Sequence, residues 1–449
     1  MLKFGTDGVR GVANTELTPE LALALGRASA RVLVGDGPRR VVIGRDPRIS
    51  GTMLEAALAA GFASEGVDVA LLGVVPTPMV AHASAAHGIV GAMISASHNP
   101  YPDNGIKLFA AGGTKLSDAT EESLERELEA MLSGDDRSGA ERPDGDGVGD
   151  VDVADEALEA AYVDSLWNVT EGRSFDGLHV VLDCAHGAAS WLAPDVVRAT
   201  GATVTVAHAD PDGININTDA GSTAPQVMAK IVRSAGADVG LALDGDADRL
   251  VAVDADGRVV DGDHLIAILA IDRKERRRLP RETVVATVMS NLGFRQGMER
   301  HGIRVETTKV GDRYVLEALA ETGAVLGGEQ SGHIIQTDVA TTGDGLLSAL
   351  SVLDVMARSG RPLADLAADA MTSLPQVLVN VRLDERRDGL LDALAADIAA
   401  AESRLGSHGR VLVRASGTEP LIRVMVEAPT EDQAQAEADL LADAVWAAS

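Results

Sequence analysis

Cysteine, aromatic residues and lysine are all scarce in this sequence. Cys184 is the only cysteine, which excludes an intrachain disulfide and a cysteine-ligated metal cluster among these residues. Aromatic residues make up 2% of the chain, so aliphatic side chains and alanine must pack its cores. Cysteine usage of this kind fits a reducing compartment, and we expect the protein to be cytoplasmic.

Positive charge is scarce as well. The chain carries 39 basic and 68 acidic residues, which gives a formal net charge of −29. Nucleic acids and anionic membranes select basic surfaces, so we expect neither as a partner. The longest stretch without acidic residues, lysine or arginine is 69–102, and its prolines, glycines and histidines argue against a membrane span. An anionic ligand would therefore need a local basic pocket.

The length of 449 residues suggests roughly three domains at about 150 residues each. Short apolar runs such as 41–43, 179–184 and 239–243 alternate with longer amphipathic runs, one of them a helix expected at 188–199. This alternation predicts α/β units. After residue 376 the order changes to strand, helix, two strands and helix, which predicts a small α+β domain. The Gly-, Asp- and Pro-rich segment 133–150 is the clearest linker.

The first loop that could carry chemistry is Ser95-Ala96-Ser97-His98-Asn99-Pro100, which follows an apolar strand. It would expose a hydroxyl group at a strand end, although a simple capping turn is the alternative. A hydrolase triad is not expected here, because neighbouring residues in an extended chain point to opposite sides and His98 would then face away from Ser97.

The second loop carries Asp244, Asp246 and Asp248 at alternate positions after an apolar strand. Period-two spacing can turn the three carboxylates to one side, and three hard oxygen ligands suit Mg²⁺. Without a cation such carboxylates would repel one another. A solvated acidic turn is the alternative, whereas Ala255 at the twelfth position excludes an EF-hand.

The third loop, residues 327–333, is rich in glycine and again follows an apolar run. Its glycines allow a ligand to approach the backbone closely. Glu329 and Ser331 offer acceptors for the hydroxyl groups of a sugar or for an amine. The alternative is a glycine-rich turn with a hydrogen-bonded histidine, His333.

The fourth loop, residues 414–423, combines Arg414 and Arg423 with Ser416, Gly417 and Thr418. Arginine makes bidentate contacts with phosphate, the hydroxyl groups add donors, and a glycine turn exposes backbone N–H groups. The pattern is typical of a phosphate-binding loop, with an arginine-capped hairpin as the alternative.

Together these loops resemble the α-D-phosphohexomutase superfamily. Five motifs carry the resemblance and occur in the family's order along nearly the whole chain: residues 6–11 (Thr-Asp-Gly-Val-Arg-Gly), 95–100, 244–249, 328–333 and 414–420. The sugar loop, with Gln330, is similar in sequence to the same loop of bacterial members that act on glucosamine phosphates. Ala247 departs from the pattern, since many relatives have glycine there, but its methyl group need not disturb the alternating carboxylates.

The resemblance implies four domains around a central cleft, three of them α/β and the last α+β. The expected domains are 1–153 with the phosphoserine loop, 154–256 with the metal-binding loop, 257–373 with the sugar-binding loop, and 374–449 with the phosphate-binding loop. The resemblance is compatible with a homodimer. It implies that the molecules bound are small sugar phosphates.

It also implies roles for individual residues. Ser97 would be the phosphoserine, and its phosphate would complete a Mg²⁺ site with Asp244, Asp246 and Asp248. Glu329 and Ser331 would bind the sugar. The phosphate that is not reacting would be held by Arg414, Ser416, Gly417, Thr418 and Arg423. The reacting end would be lined by Arg10, His98, Lys107, Arg249 and His333.

The implied reaction interconverts glucosamine 6-phosphate and glucosamine 1-phosphate. Phosphoserine 97 would donate its phosphoryl group to O1, and the resulting glucosamine 1,6-bisphosphate would turn over and return the O6 phosphoryl group. This or a similar hexose bisphosphate would serve as intermediate and activator. Lys107 with a lowered pKa is a better candidate for the general base than Arg249, because arginine stays protonated.

Three alternatives stay open on the sequence alone. Asp244 could be the nucleophile of an aspartyl-phosphate enzyme with Asp246 as the acid, although Asp248 and Arg249 then follow where that chemistry favours an apolar or hydroxyl residue. The same mechanism could act on mannose or glucose phosphates. The protein could also bind sugar phosphates as a sensor without turnover.

Overall fold

The computed structural model describes residues 8–35, 37–133, 142–383, 389–415 and 421–448. The chain divides into two compact units, one formed by Met1–Val288 with Ile303–Ala367 and the other by Met289–Gly302 with Ala368–Ser449. Helices and strands alternate through most of the first unit, so the expected α/β class with an α+β end is confirmed. The domain limits given above stay predictions.

The first sheet of the larger unit has largely buried apolar strands at its centre and an exposed strand, residues 151–153, at one edge. Its strands are β1 (Val9–Val12), β2 (Arg40–Arg45), β3 (Asp68–Val74), β4 (Val90–Ile94), β5 (Asp103–Ala110), β6 (Thr114–Lys115) and β7 (Val151–Val153). Its helices are α1 (Pro19–Ser29), α2 (Gly51–Ala63), α3 (Thr77–His87) and α4 (Asp118–Leu132). The order is β1-β5-β4-β2-β3-β7, with β6 beside β5. Because β2 and β4 run parallel, the loops that follow them leave the same edge of the sheet.

The second sheet is likewise built from strands that alternate with helices along the chain. Its elements are α5 (Ala157–Trp167), β8 (His179–Asp183), α6 (Ala193–Arg198), β9 (Thr203–Ala207), α7 (Pro225–Ala235), β10 (Val239–Leu243), β11 (Leu250–Asp254) and β12 (Val259–Val260). The order is β12-β11-β10-β8-β9. The predicted start of the helix at 188–199 is wrong, because α6 begins only at Ala193. Ala185 and His186 adopt left-handed conformations, the next residues form turns, and Pro194 lies in the first turn of the helix.

The third sheet carries the glycine-rich loop. The elements that follow one another along the chain here are α8 (Gly262–Glu275), β13 (Thr283–Thr287), α9 (Leu292–Arg300, which belongs to the smaller unit), β14 (Arg304–Thr308), α10 (Asp312–Thr322), β15 (Leu326–Gly328), β16 (Ile334–Gln336), α11 (Gly345–Ser359) and α12 (Leu363–Ala370). The order is β14-β13-β15-β16. In all three sheets a loop with side chains suited to binding or catalysis follows the carboxyl end of a strand. Open α/β sheets bind their ligands at this edge.

The smaller unit contains an antiparallel sheet in the order β17-β19-β18. Its elements are β17 (Gln376–Arg382), α13 (Leu390–Ala393), α14 (Ala395–Leu405), β18 (Arg410–Ala415), β19 (Leu421–Glu427) and α15 (Glu431–Ala448). Helix α9 belongs to this unit by its contacts. The fully buried Glu427 links α9 to the sheet. It accepts hydrogen bonds from the Leu292 N–H group (2.8 Å), Gln376 Nε2 (2.8 Å) and Arg410 Nη2 (2.9 Å).

We expect Glu427→Ala to loosen the smaller unit. Its loss removes a buried acceptor from a paired guanidinium and from a helix N-terminus, at about 3 kcal/mol. Hydrogen exchange of the β19 amides should quicken by about two orders of magnitude. Glu402→Ala, at an exposed position on α14, is the control and should leave those rates unchanged. Unchanged exchange in Glu427→Ala would contradict a stabilising role.

Candidate active site

Ser97 lies in the loop after β4 and is buried, with 1% of its surface exposed. Its Oγ donates a hydrogen bond to Asp244 Oδ2 (2.6 Å), and its backbone N–H donates to Ser95 Oγ (2.9 Å). His98 Nδ1 lies 3.2 Å from Ser97 Oγ. The expectation that His98 faces away from Ser97 is therefore wrong. Ser97 is left-handed, with φ at +51°, so the alternation of an extended chain does not apply.

The three aspartates of the second loop converge beside Ser97. Asp244, Asp246 and Asp248 are buried, and one oxygen from each lies within 4.8 Å of the others. Among the residues that the structure describes they form the one such acidic or histidine cluster. The convergence was expected, but it comes from a turn with Ala247 at φ +58° rather than from an extended strand.

The electrostatics of this cluster suit a metal ion. Burial, with the charges of Asp248 and Asp246 added, raises the pKa of Asp244 to about 8. Oδ1 of Asp246 and Oδ1 of Asp248 are buried and accept no hydrogen bond from the described residues. Three converging carboxylates, two of which keep a buried oxygen that accepts no hydrogen bond from the described residues, match the hard oxygen ligands that Mg²⁺ and Ca²⁺ prefer.

Gly245 lets this acidic loop approach the serine loop. A Cβ atom at this position would lie 2.5 Å from the Ser97 carbonyl oxygen and 2.8 Å from Asn217 Nδ2. Neither distance is compatible with a side chain, so only glycine brings the two loops this close.

Cationic side chains surround the same cluster. Lys107 on β5 places Nζ 2.6 Å from Asp246 Oδ2 and 3.1 Å from Asp248 Oδ2, while Thr77 Oγ1 donates to the same Asp246 oxygen at 2.6 Å. Arg249 Nε lies 3.8 Å from Asp248 Oδ1, and the backbone N–H of Arg249 donates to Asp244 Oδ1 (3.1 Å). These contacts place both cations against the carboxylates that follow β10.

His98 is held in its neutral form. Burial lowers its pKa, and the positive charges of Arg249 and Arg10 lower it further, to about 4. Arg10 lies on β1 opposite Gly105 of β5, which brings residues 9–11 of the first motif to the serine loop. Thr6 and Asp7 of that motif lie outside the described residues.

The glycine-rich loop lies between β15 and β16. Glu329 Oε1 accepts a hydrogen bond from the Gly311 N–H group (3.0 Å), which links the loop to the start of α10. Gln330 Nε2 donates to Asp261 Oδ2 (3.1 Å), and Ser331 is exposed. The loop therefore presents Ser331 to solvent while its neighbours are fixed.

His333 joins this loop to the acidic cluster. It is buried, with Nδ1 3.6 Å from Asp248 Oδ1 and Nε2 3.6 Å from Asp312 Oδ2. Burial alone would lower its pKa, but the charges of Asp248, Asp312 and Glu329 raise it to about 9. The histidine is therefore a cation at neutral pH. The segment 309–314, at the start of α10, thus contributes Asp312 to the same surroundings.

Arg414 and Arg423 face each other on neighbouring strands of the smaller unit. Directly opposed residues of an antiparallel pair share one face of the sheet, so the two guanidinium groups lie on the same side. Burial and the charge of Arg423 lower the pKa of Arg414. Two like charges in this position favour an anion between them. Ser416, Gly417 and Thr418 lie outside the described residues.

Sequence reasoning missed Thr77 and Asn217. Asn217 Nδ2 donates to the carbonyl oxygens of Ser97 (2.9 Å) and Asn99 (3.0 Å). Thr77 follows β3, a neighbour of β2, so its position at the sheet edge was a usable signal. No such signal pointed to Asn217, because its contact with Ser97 spans 120 residues and depends on how the first two sheets pack.

Family models match almost the whole chain. Those described as phosphoglucomutase/phosphomannomutase alpha/beta/alpha domains I, II and III match residues 1–134, 160–257 and 261–374, and the model of the C-terminal domain matches residues 378–444. Among the helices of the described part, none is long and apolar enough to cross a membrane.

Curated relatives and a solved structure agree with the family models. The chain is 54% identical to the phosphoglucosamine mutase of Saccharopolyspora erythraea and 54% identical to that of Streptomyces coelicolor, each alignment covering 99% of both chains. It also resembles the crystal structure of a phosphoglucomutase/phosphomannomutase family protein from Burkholderia thailandensis. That likeness has a TM-score of 0.80 and 26% identity, over 99% of this chain and 97% of the other.

Proposed function

The chain belongs to the phosphoglucomutase/phosphomannomutase family, and we propose that it interconverts glucosamine 6-phosphate and glucosamine 1-phosphate through a phosphoserine at Ser97. The substrate is supported by relatives named phosphoglucosamine mutase at 54% identity. The observation that carries the mechanism is the buried Ser97 hydroxyl group, which lies 2.6 Å from a carboxylate of the acidic cluster that also pairs with Lys107.

Asp244, Asp246 and Asp248, with a phosphate oxygen on Ser97, would hold Mg²⁺. The two buried Asp oxygens without a hydrogen-bond donor among the described residues support this assignment. When bound, the ion would supply positive charge that neutralises the oxygens of the transferring phosphoryl group.

The remaining groups at this end would position the substrate and offset charge. Phosphoryl transfer requires alignment and charge neutralisation more than covalent chemistry. Lys107, Arg249 and cationic His333 would stabilise the anionic transition state, with Arg10 and neutral His98 beside the phosphoserine. The burial of Ser97 would keep water from hydrolysing it. Lys107 as general base stays a prediction, and its two ion pairs would have to be broken first.

Glu329 and Ser331 would bind the sugar. Arg414 and Arg423, with Ser416, Gly417 and Thr418, would hold the phosphate that is not reacting. Because the 1,6-bisphosphate carries a phosphate at each end, one such site can serve both orientations of the intermediate. Glucosamine 1,6-bisphosphate or a similar hexose bisphosphate would also charge Ser97 and so activate the enzyme.

Turnover of three substrates tests the proposal. Enzyme phosphorylated on Ser97 is supplied separately with glucosamine 6-phosphate, glucose 6-phosphate and mannose 6-phosphate, and kcat/KM is measured for each. Glucosamine 6-phosphate should have the highest value. A higher value for another hexose would assign the chain to the phosphomannomutase/phosphoglucomutase alternative, and tight binding without turnover would make it a sensor.

We expect Arg414→Ala to weaken both directions of the reaction. If one site holds the idle phosphate in each orientation, KM should rise at least about tenfold for glucosamine 6-phosphate and for glucosamine 1-phosphate, since charged hydrogen bonds contribute about 1.5–3 kcal/mol. Arg410→Ala, on the same strand but paired with Glu427, is a control for general damage to the sheet. A rise confined to one substrate would contradict the shared site.

A cytoplasmic location and a homodimer stay predictions. Light scattering of the purified chain would test the second, because a dimer has twice the monomer mass of 46.4 kDa.

A further inference from the structure

Arg48 lies beneath the serine loop, in the turn that follows β2. It is buried, with 1% of its surface exposed, and its Nε donates to Asp46 Oδ2 at 2.7 Å. Asp46 is fully buried and also accepts a hydrogen bond from Ser95 Oγ (2.6 Å), whose oxygen in turn accepts from the Ser97 N–H group. A buried ion pair is therefore connected to the serine loop at its start.

Four backbone carbonyl groups of that loop converge on the Arg48 guanidinium. Nη2 donates to the carbonyl oxygens of Ser97 (2.9 Å) and Asn99 (2.9 Å). Nη1 donates to those of Pro100 (2.5 Å) and Asp103 (3.0 Å). With the bond to Asp46, all five N–H groups of the side chain are used. Lysine could not reproduce this pattern, because an ammonium group has only three donors.

Asn217, in the segment between β9 and α7, contacts two of the same carbonyl groups. Its Nδ2 contacts the oxygens of Ser97 and Asn99, as described above. The segment that carries it also touches the turn of Arg48, since the Ile49 N–H group donates to the Gly213 carbonyl (2.9 Å). The loop is thus held by a cation from one sheet and an amide from another.

The conformation of Ser97 explains why such anchoring is needed. A non-glycine residue at φ +51° costs roughly 1–2 kcal/mol and persists only where its surroundings enforce it. We propose that Arg48 and Asn217 are positioning residues that hold Ser97 in this conformation and so keep its hydroxyl group at Asp244. The inference rests on the proposed function, in which Ser97 carries the transferred phosphoryl group.

Positioning has a kinetic signature. A nucleophile displaced by about 1 Å can cost a hundredfold in rate, while the contacts that bind the sugar and its idle phosphate are untouched. Loss of either anchor should therefore lower kcat and leave KM for glucosamine 6-phosphate within about twofold of the wild-type value.

Asn217 offers the sharper test, because it lies at φ +61° and glycine tolerates that conformation. Asn217→Gly removes only the amide and should lower kcat at least about tenfold. Asn217→Asp keeps the shape but directs an anion at two carbonyl oxygens, and should lower kcat at least about a hundredfold. Asn14→Gly, at an exposed position that is also at φ +61°, is the matched control and should leave kcat unchanged.

Hydrogen exchange measures the same proposal without substrate. The amides of residues 96–103 should exchange at least about tenfold faster in Asn217→Gly and in Arg48→Lys than in the wild type, with Asn14→Gly unchanged. Faster exchange with a fall in kcat supports the proposal. Wild-type exchange or wild-type kcat in both Asn217 variants overturns it. If the wild type turns over no hexose phosphate, the proposed function fails, and the exchange rates alone decide whether these residues hold the loop.

Discussion

Replacing Ser97 by alanine should abolish turnover while the chain stays folded. The substitution removes the hydroxyl group that would carry the phosphoryl group, and loss of a covalent nucleophile lowers kcat by at least about 10⁴-fold. Folding should be retained, because alanine tolerates the left-handed conformation no worse than serine and only the contacts of Oγ with Asp244 and His98 are lost. The measurement is turnover of glucosamine 6-phosphate by enzyme pretreated with glucose 1,6-bisphosphate.

Ser64→Ala serves as the control. Its Oγ donates only to the Gly61 carbonyl at the end of α2, far along the chain from any candidate loop. Wild-type activity in Ser64→Ala beside none in Ser97→Ala assigns the loss to the nucleophile. Residual turnover above a hundredth of the wild-type rate in Ser97→Ala would exclude an essential phosphoserine at this position.

Removal of divalent cations should have the second largest effect. After dialysis against EDTA we expect kcat to fall at least about 10³-fold and to recover on addition of Mg²⁺, because the ion would no longer add its positive charge to that of Lys107, Arg249 and His333 at the transferring phosphoryl group. Stability gives an independent readout. Mg²⁺ should raise the temperature of unfolding, since an ion that binds only the folded state stabilises it by mass action.

Asp246→Asn should lose both responses, because it removes one ligand and one of the repelling charges. Asp256→Asn, at an exposed position in the turn after β11, is the matched control and should keep both. Activity that survives EDTA, or a wild-type stability response in Asp246→Asn, would show that the three aspartates do not form the metal site.

The alternation of elements was predictable because local composition decides it. Apolar runs such as 239–243 became buried strands, since β-branched and leucine side chains in short runs pack well in a sheet. The start of α6 was not predictable from the sequence, because the left-handed conformations of Ala185 and His186 depend on packing that the sequence does not display. Strand β7 was also missed, because Val-Asp-Val is too short to stand out as a strand at the end of a polar segment.

The candidate site divides in the same way. The loop residues were found because Ser97 and the three aspartates belong to motifs with recognisable chemistry. Their geometry was less accessible: the contact between His98 and Ser97 follows from a single left-handed residue. Arg48 could have been inferred, since its polar turn follows a strand beside β4.

The position of the stable phosphate tests the central claim most directly. The enzyme is incubated with glucose 1,6-bisphosphate, digested with trypsin and analysed by mass spectrometry with fragmentation of the peptides that contain Ser97 and Asp244. The account predicts one phosphate on Ser97 that resists hydroxylamine. A hydroxylamine-sensitive phosphate on Asp244, with none on Ser97, would contradict it and make the aspartate the nucleophile.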